Sequence, residues 1–185
     1  MPPQPLPGGC YCAAIRYTIT LDDPASQART SICHCGNCKR FTGGNYGITT
    51  RVPRAAFAIE RGGEKVRVHE ADNGSGVRLH REFCGVCGGG ILEFGANAGD
   101  NIYVFYGTLD DHARGQVEPK GEFFCKLRDP WMPEVEGIEL HSLTPSYTLS
   151  PSHPHTLTLI LTLTPALSHQ LSHTPSYTHN KYVAF

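Results

Sequence analysis

No stretch of the 185 residues approaches the roughly 20 consecutive apolar positions that a membrane-spanning helix needs. An excess of one charge is missing as well. Sixteen lysines and arginines face 17 acids, for a formal net charge of −1 and a pI near 6.8. Without a basic field nothing holds a nucleic-acid backbone or an anionic membrane surface, so partners recruited by bulk electrostatics are excluded. No glycine-rich phosphate loop follows a strand-like run and opens a helix, which removes nucleotide chemistry. The first nine residues contain four prolines and neither a basic nor an apolar region, so no secretory signal is expected there and the expected location is the cytoplasm.

Glycine, cysteine and acid are all absent from the end of the chain. All 20 glycines, all eight cysteines and all 17 acids precede Leu140, whereas 141–185 is built largely from Thr, Ser, Leu, Pro and His. Thr144-Pro145-Ser146-Tyr147-Thr148 returns as Thr174-Pro175-Ser176-Tyr177-Thr178. Such low-complexity composition predicts a disordered tail with incidental histidines. The chain therefore divides into one domain over 6–140 and a tail over 141–185.

Within the domain, short apolar-alternating runs predict strands at 13–20, 30–33, 46–52, 56–60, 65–70, 77–83, 90–94, 102–106 and 122–126. Turn signals such as Asp22-Asp23-Pro24, Gly62-Gly63, Asn73-Gly74 and Ala98-Gly99-Asp100 separate them. Many short strands at close spacing imply an all-β domain of antiparallel sheets. One helical turn is expected after Cys35, through Cys38-Lys39-Arg40-Phe41, ending at Gly43-Gly44.

The eight cysteines carry the chemistry. Seven fall in three tight clusters: Cys10 and Cys12; Cys33, Cys35 and Cys38; Cys84 and Cys87. In a reducing compartment such clusters read as metal ligands, and pairing thiols one or two residues apart as disulfides would be strained. A CxxC followed by glycines is a zinc knuckle, whose backbone N–H groups offset thiolate charge. Cys10 and Cys12 with Cys84 and Cys87 would complete one four-thiolate site. Three thiols within Cys33-His34-Cys35-Gly36-Asn37-Cys38 can surround one face of a second ion and leave a position open, the arrangement of a catalytic zinc. His34, between two ligands on an extended segment, is expected to face away. Cys125 is the thiol that would close the open position; its other reading is a buried free thiol. Spacing alone does not fix which cysteines share an ion.

Gly8-Gly9-Cys10-Tyr11-Cys12 with Ile15-Arg16-Tyr17 opens an ordered series of motifs. Cys33-His34-Cys35-Gly36-Asn37-Cys38-Lys39 follows, then Arg81-Glu82-Phe83-Cys84-Gly85-Val86-Cys87-Gly88, then Gly107-Thr108-Leu109-Asp110-Asp111 and Trp131. Together they resemble the glutathione-dependent formaldehyde-activating enzyme family, whose domain is shared with centromere protein V. The resemblance spans 6–137 and implies an all-β fold of coiled antiparallel sheets. It also implies two zinc ions per chain, a structural one on Cys10, Cys12, Cys84 and Cys87 and a catalytic one on Cys33, Cys35 and Cys38. Two departures stand out: Ala13 where relatives often have Gly, and Glu122 in a region that commonly carries a His.

A zinc held by three thiolates is a weak Lewis acid and suits binding an incoming thiol as thiolate. The function that the resemblance implies, and that this chemistry suits, is a carbon–sulfur lyase-type activity that forms S-hydroxymethylglutathione from glutathione and formaldehyde, or a related thiol adduct. Glutathione carries two carboxylates, and Lys39, Arg40 and Arg51 are the basic residues expected to anchor it. His69, His80 and His112 are read as exposed or turn positions, and Asp110-Asp111 as turn residues. The competing reading is a non-enzymatic, zinc-stabilised interaction module.

Overall fold

The computed structural model describes residues 4–72 and 76–141. The turn signal Asn73-Gly74 and the tail beyond His141 lie outside the described residues. Eleven strands are described: β1 (Gln4–Gly9), β2 (Arg16–Leu21), β3 (Arg29–Cys33), β4 (Gly47–Pro53), β5 (Phe57–Arg61), β6 (Val66–Asp72), β7 (Arg78–Cys84), β8 (Gly90–Gly95), β9 (Asn101–Phe105), β10 (Pro119–Phe123) and β11 (Glu139–His141). Three short helices interrupt them: α1 (Pro24–Gln27), α2 (Gly36–Thr42) and α3 (Asp111–Arg114).

The strands form a three-stranded sheet ordered β1-β2-β5 and an eight-stranded sheet ordered β11-β10-β3-β4-β9-β8-β7-β6; neither closes on itself. The all-β reading holds, with one correction. Strand β10 pairs parallel to both β3 and β11, so the larger sheet is mixed rather than wholly antiparallel. The chain reaches β10 from β9, across the two intervening strands β3 and β4 and by way of α3, instead of by a hairpin, and that leaves its direction free.

The core lies between the two sheets. Leu6, Tyr17 and Ile19 from the smaller sheet, with Ile15 just before β2, meet Val52, Ile91, Ile102 and Val104 from the larger one, all fully or almost fully buried. Alternation sets this inward face, since β2 reads partly buried, buried, partly buried, buried over its first four positions. Strand β1 is unpredicted by the sequence because Pro5 and Pro7 argue against a ladder, yet β1 sits at a sheet edge, where a missing N–H is tolerated. Gly8 is required by close approach: a Cβ there would lie 2.3 Å from the Tyr17 hydroxyl and 2.6 Å from the Thr108 carbonyl. Strand β11 also has no signal of its own, being three residues long.

Candidate metal centres and the groove beside them

The first cluster grows from two turns. Cys10 and Cys12 occupy the β1–β2 turn, while Cys84 ends β7 and Cys87 lies in the turn that follows. Their four sulfurs lie within 4.8 Å of one another. The Cys10–Cys12 and Cys12–Cys84 separations, 3.6 and 3.9 Å, match the roughly 3.8 Å edge of a sulfur tetrahedron at the zinc–thiolate distance. Backbone donors face the sulfurs, from Ile15 N–H to Cys10 at 3.2 Å and from Val86 N–H to Cys84 at 3.4 Å. The Gly89 N–H is the largest influence holding the Cys87 thiol down at about 6. At Cys12 the Ala14 N–H favours the thiolate, but burial and the neighbouring sulfurs outweigh it and push the thiol up to about 11. The turn dipoles thus favour charge that four adjacent thiolates cannot all carry without a cation.

The second cluster lies where β3 ends and α2 begins. The Cys35 sulfur caps α2, accepting from the Cys38 N–H at 3.3 Å, and the helix ends on Gly43 at φ 66, a left-handed position that suits glycine. The expected helical turn is present and slightly longer than its signal. Sulfurs of Cys33, Cys35 and Cys38 lie within 4.8 Å of one another, and among the described residues no fourth Cys, His, Asp or Glu joins them. Cys33, then Cys38, hydrogen bonds to Cys35 and drives its thiol down to about 2, while the same contact pushes Cys33 up to about 12. Cys38 is raised as well, by its bonds to Cys33 and Cys35. Charge on one sulfur is supported by the other two and disfavours charge on them, so a bound cation is what would let all three ionise.

Cys125 does not close this set. Its sulfur instead faces the backbone carbonyls of Glu122 at 3.3 Å and His141 at 3.8 Å. His34 does turn away from the sulfurs, as alternation predicts. It is 1% exposed, and its Nε2–H donates to Glu122 at 2.5 Å. Glu122 accepts two further bonds from the Arg128 guanidinium, at 3.1 and 2.6 Å. Burial opposes charge on Glu122, but Arg128 and His34 outweigh it and hold the carboxyl below the usual range. This buried trio ties the ligand loop to β10. The sequence singled out His34 and Glu122 separately but not their meeting, because they are 88 residues apart and come together through the parallel pairing of β10 with β3.

Alternate residues of β3 and β4 point to the face opposite the core. There Arg29, Ser31, Cys33, Thr49, Arg51 and Tyr103 line a groove of about 460 Å³. Helix α2 is fastened beside it by Phe41, which stacks on Phe105 at 5.4 Å and lies under the Arg81 guanidinium at 4.3 Å. Of the three expected anchors, Arg51 lies in the groove with Cys33. The Lys39 ammonium donates to the Leu127 carbonyl and to Asp129, both at 2.9 Å, and Arg40 is exposed on α2. His80 is only half-buried, held between Glu70 and Glu82 at 2.8 and 3.1 Å, which corrects its expected exposure. His69 is exposed as expected. Asp110 does more than shape a turn, since Arg16 grips its carboxylate with two bonds of 3.0 and 2.6 Å.

The family described as glutathione-dependent formaldehyde-activating enzyme matches residues 5–127. That range holds both cysteine clusters and stops short of Trp131, which is 68% exposed. No curated protein matches the sequence. A crystal structure of a Rhodobacter sphaeroides protein, a structural genomics target, aligns with a TM-score of 0.45 at 20% identity, covering 60% of this chain and 97% of its own. Among the described residues no helix is long and apolar enough to cross a membrane.

Proposed function

The chain belongs to the glutathione-dependent formaldehyde-activating enzyme family, and from that membership we propose that it joins glutathione, or a closely related thiol, to formaldehyde in a carbon–sulfur lyase-type reaction. The observation that carries this reading is the incomplete second cluster. Three sulfurs converge with no fourth donor among the described residues, as an ion that must accept a substrate sulfur requires, and one of them, Cys33, lines the groove.

Cys33, Cys35 and Cys38 would hold a zinc ion there, and Cys10, Cys12, Cys84 and Cys87 a second, structural one. When bound, the open-sided zinc supplies a cation that favours the thiolate form of an incoming thiol at neutral pH. The protein's own part is positioning. His34, Glu122 and Arg128 fix the ligand loop from behind, and Phe41 and Arg81 fix α2 from the side. In the overall reaction the thiol S–H bond breaks and an S–C bond forms to the carbonyl carbon. The proton ends on the former carbonyl oxygen, giving S-hydroxymethylglutathione with no oxidant or reductant. Holding both reactants together removes the entropy cost of their encounter.

The test is formation of S-hydroxymethylglutathione, followed by NMR, when zinc-loaded protein is mixed with glutathione and formaldehyde. Acceleration over the uncatalysed mixture that disappears in Cys35→Ala supports the reading. A wild-type rate equal to the uncatalysed one sinks it.

A further inference from the structure

The groove carries a charge arrangement that folding alone does not favour. Arg29 and Arg51 are direct register partners on the antiparallel pair β3–β4, and their side chains share the groove face. Like charges directly opposite one another destabilise a ladder. Compensation is one-sided: Arg29 reaches Glu139 at 3.5 Å and His141 Nε2 at 3.1 Å, whereas Arg51 is exposed and has no hydrogen-bond or ion-pair partner among the described residues. The acid within the groove, Glu93, is taken by Arg81 at 2.7 Å. Positive charge is therefore left over at the end of the groove away from Cys33.

Aromatic side chains form much of the remaining wall. Phe94, Tyr103, Phe123 and Phe124 line the groove, and Phe124 is held at φ 57, a conformation rare for a non-glycine residue and typical of sites where a side chain must be aimed. Low-dielectric walls strengthen an ion pair formed between them. The dimensions also fit. Four residue steps along β3 separate Cys33 from Arg29, about 13 Å between Cα atoms before the arginine arms reach back. Glutathione carries its thiol on the middle residue, so a terminal carboxylate lies about two residue lengths, roughly 7 Å, from it, and the arginine arms close the rest.

We propose that Arg51, with Arg29 beside it, forms a carboxylate-reading subsite for the incoming thiol. The groove would then select anionic thiols of tripeptide size over small uncharged ones. The inference rests on the reading of the Cys33 end as the thiol-binding end, and it assigns the anchoring role to Arg29 and Arg51 rather than to Lys39, whose ammonium is already engaged.

Calorimetric titration of the zinc-loaded full chain tests it with four probes: glutathione, glutathione diethyl ester, 2-mercaptoethanol and S-methylglutathione. Arg51→Gln is expected to weaken glutathione by about tenfold or more, as loss of a charge-assisted carboxylate contact does. The ester and 2-mercaptoethanol should bind Arg51→Gln as they bind the wild type, and Arg51→Lys should recover part of the loss. Circular dichroism verifies that the variants are folded. Glutathione binding that is indifferent to both Arg51→Gln and Arg29→Gln, or an ester that binds as tightly as the free acid, overturns the subsite while leaving the proposed reaction standing. If no thiol binds but S-methylglutathione binds in an Arg51-dependent way, the subsite stands and the thiol-activation reading falls.

Discussion

Ala13 adopts φ 56 in the β1–β2 turn, and its methyl group faces solvent. An L-residue there costs energy that glycine avoids, and no packing is lost by removing an exposed methyl. Ala13→Gly is therefore expected to stabilise the domain by about 0.5–1 kcal/mol after the added unfolded-state entropy is deducted, read as a raised urea midpoint. A lowered midpoint would show that the turn is not strained. Tyr17 offers a second test at this scale. Its ring is fully buried and tilted against Phe57 with centroids 4.9 Å apart, and its hydroxyl is 2.7 Å from that of Thr108. Burial raises its pKa well above the ordinary value. Above pH 10 the unfolded chain releases this proton and the folded one keeps it, so stability is intact below the unfolded pKa and falls as pH rises beyond it. The expected loss attributable to Tyr17 is about 1.4 kcal/mol per pH unit. Tyr17→Phe should lack this component between pH 10 and 12; parallel wild-type and variant curves would contradict the assignment.

At the scale of elements, α2 is the piece whose placement decides the second cluster. It has only seven residues, too few to persist on its own, and among the described residues its ring contact to the sheet is made by Phe41. Phe41→Ala removes both the stack on Phe105 and the arginine contact, at a cost of about 1–3 kcal/mol for a half-buried ring. The consequence should be local. Metal analysis is expected to find zinc falling from two ions per chain toward one while far-UV circular dichroism stays unchanged. Full retention of both ions at wild-type affinity would show that the Cys33–Cys38 loop is held by β3 and the His34–Glu122 contact alone.

For the whole molecule, the two clusters differ in what they join. Cys10 and Cys12 lie in the turn joining two strands of the three-stranded sheet, whereas Cys84 ends a strand of the eight-stranded one with Cys87 just beyond it, so an ion there would staple the two layers that enclose the core. Structural zinc sites supply roughly 10–16 kcal/mol of apparent folding energy, comparable with the entire stability of a domain. Cys87→Ala is expected to unfold the domain or lower its melting temperature drastically. Cys33, Cys35 and Cys38 span one short segment, so Cys35→Ala should lose the second ion and the thiol-dependent activity with the fold kept. If Cys35→Ala unfolds as severely as Cys87→Ala, both ions are structural and the interaction-module reading gains the advantage.

Spacing within a few residues was readable in the sequence because the chain cannot separate such groups. The three cysteine clusters, the α2 turn ending at Gly43, and eight of the strands follow from local pattern, and the ordered motifs point to the family; the strand expected at 122–126 overlaps β10 only at Glu122 and Phe123. Arg16 and Tyr17 could be singled out, but not that they meet Asp110 and Thr108. The proline-bearing β1, the parallel placement of β10, the His34–Glu122–Arg128 contact and the facing of Arg29 with Arg51 were decided by tertiary structure alone. Each depends on which distant strands lie side by side, and that is set by burying their apolar faces together rather than by any local signal. Local sequence names the sulfurs; only the assembled sheet determines what stands around them.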